Sequence, residues 1–414
     1  MKKTVTVLLL LLFPVICGQS LWAEPVQDTH PHCPIILVHG LGGWGPEKLA
    51  GNYYWGGKTD LKEFLEENGY EVYVSNVGAL SSNWDRAIEL YYEIKGGQVD
   101  FGFEHSKQFG HLQRPAGKHY DHPLYPQWDA NHPVHLVSHS MGGQTIRVLS
   151  ALLSGQDPRF RNILRDANDE PFTPGNGWIK SITTLSAPHN GSTLSYVVKD
   201  QVTIVTSLMA LAGINPQKDI TSGQLYSFEL EQWGLQREAN EGLNDYITRV
   251  FNTLGDTKDI STWDTSIAGA QELNSTVNFS TVDPEAYYFS YENEKTFPVG
   301  KQFYLPDLTI NPALSSNAFL MGIISLGDPF GLGDGWREND GEVNTISMIA
   351  PQLGCSDRVS IYKGLPQKGV WNYLGKLKWD HGDITGQAVI TFPWHVKKLE
   401  KFYLDLASFL RSLE

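Results

Sequence analysis

One stretch, Val134-His135-Leu136-Val137-Ser138-His139-Ser140-Met141-Gly142-Gly143-Gln144, constrains the fold of this chain more than any other. A short apolar run leads into Ser-His-Ser-Met-Gly-Gly, and Thr145-Ile146-Arg147-Val148-Leu149 continues at helical spacing. That order is strand, tight turn, helix, with Ser140 at the apex. A nucleophile elbow needs such a context, because small flanking residues let the backbone turn sharply and lift a hydroxyl above the sheet edge. The usual form is G-x-S-x-G; here Ser138 stands at the first glycine position and still presents a small side chain. The alternative is a serine that merely caps a helix by satisfying its first N–H groups. The strand before and the helix after favour the nucleophile.

A parallel, doubly wound sheet follows from the segments upstream. Pro34-Ile35-Ile36-Leu37-Val38 is a continuous apolar run, as a strand buried on both faces requires. His39-Gly40-Leu41-Gly42-Gly43-Trp44-Gly45 is a glycine-rich loop whose main chain can approach a ligand closely, although an ordinary turn would look similar. Paired with a serine elbow, it supplies half of an oxyanion hole, and we assign the amides of Leu41 and Met141 to that role. Leu61 to Asn68 reads as an amphipathic helix, Glu71 to Val74 as a strand, and Ser82-Asn83-Trp84-Asp85-Arg86 as a helix start. Strand, loop, helix, strand, helix, strand, elbow is α/β order, and an α/β-hydrolase fold is expected.

The ends and the charge bound the function. Met1-Lys2-Lys3 followed by the apolar run Val5 to Ile16 reads as a signal peptide over residues 1–23, so a secreted protein is expected. A lipid anchor on Cys17 or an uncleaved membrane anchor competes with that reading, but Ile16 is bulky and the apolar run short. Only Cys33 and Cys355 would remain, as one bridge or two thiols. A formal net charge of −14 without clustered Lys and Arg argues against nucleic acid as a partner.

Two inserted segments break the α/β pattern. Residues 96–133 are polar and aromatic and hold His105, His111, His119, His122 and His132; such density raises the prospect of a metal, against solvated surface histidines. Leu194 to Ile214 is an apolar helix with hydrophobic residues on more than one face. It suits a buried core helix or a lid over residues 193–215 whose outer face meets lipid, and its place after a strand end beside the elbow favours the lid. Further on, Ser222 to Trp233 and Gly242 to Thr253 read as helices, Tyr287 to Tyr291 as a strand, and 295–335 as irregular. Val359 to Tyr362 and Leu374 to Trp379 read as late strands, and Val396 to Leu413 as a terminal helix.

In this fold the triad runs Ser, acid, His, with the last two on loops after late strands. Asp340, in Asn-Asp-Gly, and His381, in Trp-Asp-His-Gly-Asp, fit that order behind Ser140. An Asp in such a turn is more often only a turn residue, and thirteen histidines make an accidental match easy.

Several strings add a resemblance. Pro34 to Gly45, Tyr54 to Gly57, Ser81 to Ala87 and Val99 to Gly102 are similar to the thermoalkalophilic bacterial lipases and their staphylococcal relatives. So are His139 to Arg147, Thr184 to Thr193, Leu230 to Leu235, Glu338 to Ser347, Lys368 to Asn372 and Trp379 to His381. The resemblance covers nearly the whole mature chain and implies a secreted triacylglycerol lipase with a lid, Ser140, Asp340 and His381 falling at the triad positions. It also implies a structural zinc held by two acids and two histidines: Asp85, His105, His111 and, in Phe228 to Trp233, Glu231 in place of an aspartate. His119, His122 and His132 keep the surface reading. A calcium site near the catalytic histidine is implied with Asp383 as a ligand and Asp380 nearby, although Gly386-Gln387-Ala388-Val389 supplies no further carboxylate. The expected substrates are acylglycerols at a lipid–water interface. The alternatives are a carboxylesterase or phospholipase on the same triad, and a non-catalytic binding protein of the same fold.

Overall fold

The computed structural model describes residues 32–155, 176–211, 226–276, 282–324, 333–387 and 393–413. The expected leader lies outside them, as does 212–215, the end of the expected lid. Among the described residues eleven strands run in chain order: β1 Ile35–Val38, β2 Val72–Val74, β3 Gly97–Gln98, β4 His119–Tyr120, β5 Val134–His139, β6 Ile179–Leu185, β7 Tyr287–Asn293, β8 Thr296–Val299, β9 Phe303–Pro306, β10 Val359–Ile361 and β11 Trp371–Leu377. Seven of them form one sheet in the order β10-β11-β7-β6-β5-β1-β2, and every pairing in it is parallel.

Alternation along β1 divides the core. Ile35 and Leu37 join one apolar cluster, with Leu61, Leu65, Tyr403 and Leu406 of the helices Leu61–Glu67 and Pro393–Arg411. Ile36 and Val38 join the other, with Ile88, Tyr91, Ile146 and Leu149 of the helices Asn83–Lys95 and Gly142–Ser154. Successive side chains of a strand point to opposite faces, so a run apolar at every position needs helices on both. The fold class expected from sequence is therefore the one observed.

The order reverses between β1 and β5: the chain moves outward from β1 to β2 and then returns to the other side of β1. Ligand crevices of open α/β sheets form at such a switch point, beyond the carboxyl ends of the strands. Val38 is in register with Ser138, so the loop after β1 and the turn after β5 meet there.

Three segments depart from expectation. Between 226 and 233 there is irregular chain and a single 3-10 turn, Glu231–Trp233, rather than a long helix. The stretch 295–335, expected irregular, holds the β8–β9 hairpin and the helix Pro312–Ile323, capped by the Asn311 side chain. That helix is apolar nearly all round and so shows no amphipathic period. The apolar segment after β6 divides into the helices Leu194–Val197 and Gln201–Leu211. Cys33 and Cys355 are not joined by a disulfide.

Candidate active site and metal centre

Ser140 sits between β5 and the helix Gly142–Ser154 with φ +54°, the left-handed conformation of a strained elbow. The two residues after Met141 must be glycine on steric grounds. A Cβ on Gly142 would lie 2.6 Å from Val38 O, and one on Gly143 would lie 2.4 Å from Ala187 Cβ. At the first position of the motif a serine fits, because buried Ser138 donates from Oγ to Thr183 O at 3.3 Å across the sheet.

The three expected triad residues converge. His381 Nε2 lies 2.9 Å from Ser140 Oγ, and His381 Nδ1 lies 2.7 Å from Asp340 Oδ2. Asp340 is fixed from its other oxygen, which accepts the N–H groups of Glu342 and Val343 at 3.0 and 2.8 Å, while Asp340 O accepts His381 N–H at 3.0 Å. Burial works to lower the His381 pKa, but the Asp340 charge and hydrogen bond outweigh it, and the net shift is upward. Among the described residues the N–H groups of Leu41 and Met141 donate to no acceptor, as groups kept for an oxyanion must be.

Two residues that the sequence did not single out hold this array together. Gly40 N–H donates to Tyr54 Oη at 2.8 Å, Tyr54 Oη–H to His139 Nδ1 at 2.7 Å, and His139 Nε2–H to His381 O at 2.9 Å. This chain ties the glycine loop, the elbow and the backbone of His381 into one buried relay. It needs a neutral His139, and burial, with the nearby His381 charge, holds its pKa well below the ordinary value. Beneath the loop, buried Arg86 donates from its guanidinium to His39 O, Gly78 O and Thr145 Oγ1. His39 is neutral too, its pKa lowered to about 3 by burial and by Arg86.

The metal ligands expected from sequence are corrected at one position. Asp85, His105 and His111 come together with Asp259, their ligand atoms all within 4.8 Å of one another. Glu231 does not join them: its carboxylate lies 3.3 Å from buried Lys118 Nζ, which also pairs with Glu89 at 3.0 Å. The segment around Glu231 is close to the centre but serves it differently. Gln232 Nε2 donates to Asp85 Oδ2 at 2.9 Å, and the Trp233 ring packs on His111 at 4.9 Å. His111 Nε2 and Asp259 Oδ2 face each other at 3.3 Å, both buried and neither in a hydrogen bond. Two orphaned ligand atoms aimed at a common point, with two imidazoles and two carboxylates around it, fit a divalent metal with nitrogen and oxygen preference. His119 and His132 are partly exposed and pair locally with Asp121 and Asp129.

The calcium expectation does not fit the residues present. Asp383 Oδ2 accepts Asp380 N–H at 3.0 Å and lies 3.6 Å from the Lys295 ammonium. Both carboxylate oxygens of Asp380 are taken by main-chain N–H groups, of Asn311 on one side and of Gly382 and Asp383 on the other. Calcium needs six or more oxygens, and here an ammonium already supplies the positive charge.

A serine, a histidine and a carboxylate in hydrogen-bonding sequence at the switch point of a doubly wound parallel sheet define an α/β-hydrolase. The family described as "Lipase-like, C-terminal domain" matches residues 31–414, and the chain belongs to it. It is 35% identical over 394 residues to "Lipase" of Staphylococcus epidermidis, covering 92% of this chain and 54% of that protein. "Lipase 1" of Staphylococcus aureus is likewise 35% identical, over 397 residues, with 92% and 55% covered. The chain thus spans about half the length of these curated relatives. Among solved structures, EstA from Clostridium botulinum superposes with TM-score 0.81 at 38% identity, covering 92% of this chain and 87% of that one. Lipase 1 from Pelosinus fermentans gives 0.77 at 36% identity, covering 92% and 99%. Staphylococcus hyicus lipase gives 0.73 at 28% identity, covering 94% and 98%.

Proposed function

We propose that the chain is a secreted triacylglycerol lipase that works through an acyl-enzyme on Ser140. The observation that carries this is the unbroken line Ser140 Oγ, His381 Nε2, His381 Nδ1, Asp340 Oδ2, with spacings of 2.9 and 2.7 Å at its two contacts. Ser140 Oγ attacks the acyl carbonyl carbon while its proton passes to His381 Nε2. The resulting oxyanion is met by the N–H groups of Leu41 and Met141. The C–O bond to the alcohol then breaks, and His381 gives the alcohol its proton. A water repeats the sequence on the acyl-enzyme, releasing the fatty acid and restoring Ser140. Asp340 holds the imidazole orientation and the imidazolium charge throughout.

Residues 193–215 act as the lid. The helix Gln201–Leu211 buries Val205, Met209 and Leu211, and its Ile204 and Leu208 line the cavity at Ser140, which is 8% exposed. Asp85, His105, His111 and Asp259 would hold a zinc ion, which would cross-link the inserted segment to the α/β core as a structural rather than a reacting metal. The family match and the relatives named lipase support lipid esters as substrates.

Labelling with a serine-directed alkyl phosphonate, followed by mapping of the modified peptide, tests nucleophile and reaction class together. Stoichiometric modification of Ser140 with loss of activity is the expected result. An unlabelled protein, or one labelled elsewhere, would leave a non-catalytic member of the fold.

A further inference from the structure

The cavity beside Ser140 and His381 is small, about 40 Å³, and much of its wall is apolar, with Leu41, Leu194, Ile204, Leu208 and Val343. The hydroxyl groups in that wall are already committed to the fold. Ser192 Oγ donates to Glu342 O, Ser195 Oγ to Ser192 O, Thr265 Oγ1 to Ser261 O and Thr262 Oγ1 to Gln201 Oε1. Glu342 differs from all of them. Its backbone N–H is fixed on Asp340 Oδ1 at 3.0 Å, and the residue lines the same cavity although the triad does not use its carboxyl. One carboxyl oxygen, Oε1, accepts from Asn317 Nδ2 at 3.0 Å; among the described residues no hydrogen bond reaches Oε2.

A carboxyl in an apolar wall is costly to bury without partners. Burial raises the Glu342 pKa to about 7, against the opposing charge of His381 and with Asp340 adding to the rise. Near neutral pH the group therefore exists in both forms, and its protonated form can donate as well as accept. Asn317 also reaches Ser207 Oγ of the helix Gln201–Leu211 at 3.4 Å, so the carboxyl is positioned from both the core and the covering helix.

We propose that Glu342 is a specificity-determining residue: its free carboxyl oxygen hydrogen-bonds a hydroxyl of the ester's alcohol part, so that the site favours partial acylglycerols over fully acylated ones. This rests on the ester-hydrolase reading of Ser140. A partial acylglycerol brings a hydroxyl that pairs the carboxyl when water leaves the cavity. A fully acylated glycerol brings only ester and alkyl groups and leaves Oε2 poorly paired, so it is still hydrolysed but less readily than the partial acylglycerol.

The test is kcat/KM for monobutyrin and for tributyrin, both kept below their solubility limits so that no interface enters. E342L, close in size but unable to hydrogen-bond, is expected to lower the monobutyrin-to-tributyrin ratio about tenfold, and E342Q to keep it within about threefold. Should E342L not fold, E342A is read in the same way. An unchanged ratio in a folded E342L or E342A overturns the proposal. So does an equal loss on both esters, which would mark a residue that only supports Asp340. If the wild-type protein hydrolyses neither ester, the ester-hydrolase reading itself has failed and this proposal falls with it.

Discussion

His381 stands between two opposing influences, and its pH behaviour follows from which one wins. Burial disfavours the imidazolium and Asp340 favours it; the net shift is upward. As general base His381 must be neutral, so activity falls on acidification, and the acid limb of the kcat/KM profile lies above the pH of an ordinary histidine. Replacing Asp340 with Asn removes the charge while keeping the shape. D340N is expected to lower kcat by about 10⁴-fold and to move the remaining acid limb to lower pH. A pH–rate profile of the variant that kept the wild-type limb would remove Asp340 from the triad. At this scale the convergence of Ser140, His381 and Asp340 was legible in the sequence because their chain order and the elbow around Ser140 are local signals. Tyr54 and His139 were not. Their importance lies in a three-bond relay through residues far apart in the chain, and neither carries a motif of its own.

The helix Asn83–Lys95 couples the two sites. Ser82 caps it by accepting Asp85 N–H at 3.2 Å, which sets Asp85 toward the metal ligands. The next residue, Arg86, holds the carbonyl of His39 at the base of the oxyanion loop. A metal that fixes the first turn of this helix therefore also steadies the loop carrying the Leu41 amide. D259N is expected to lose the bound metal, with a lower Tm, while E231Q, which weakens only the Lys118 pairing, retains it. Metal analysis of both dialysed proteins decides the matter: metal retained by D259N and lost by E231Q would restore Glu231 as the ligand. The reading of Glu231 failed for a physical reason. The segment Phe228 to Trp233 does pack on the centre, but through Gln232 and Trp233, whereas Glu231 turns toward buried Lys118. Asp259 lies in a short connection between the helices Leu243–Leu254 and Ser261–Asp264, where its spacing to the other ligands carries no local pattern.

For the whole molecule, the narrowness of the cavity bears on how a lipid ester would enter. A space of about 40 Å³ beside Ser140 is too small for a long acyl chain, since ligand pockets run to about 300 Å³ or more. The helix Gln201–Leu211 must move for such a chain to bind, and doing so exposes Val205, Met209 and Leu211. That exposure is unfavourable in water, by roughly 1.5–3 kcal/mol for each large apolar side chain, and is offset where a lipid surface receives them. Activity plotted against tributyrin concentration is accordingly expected to rise sharply at the solubility limit. A smooth saturating curve through that limit, with no hydrolysis of emulsified triolein, would indicate an esterase acting on dissolved substrates.

The sequence by itself determined the parallel doubly wound sheet, the elbow at Ser140, the glycine loop and the order of the triad. Each is written in local terms: apolar runs of strand length, glycines where a Cβ would collide, and residue types at the ends of strands. Only the tertiary structure decided the fourth member of the Asp85, His105, His111 cluster, the lysine beside Asp383, the relay through Tyr54 and His139, and the place of Glu342 beside the cavity. Those depend on which remote side chains packing brings within hydrogen-bonding or ionic distance. A carboxylate two residues from another looks the same in sequence whether it turns to solvent, to a lysine or into a substrate cavity.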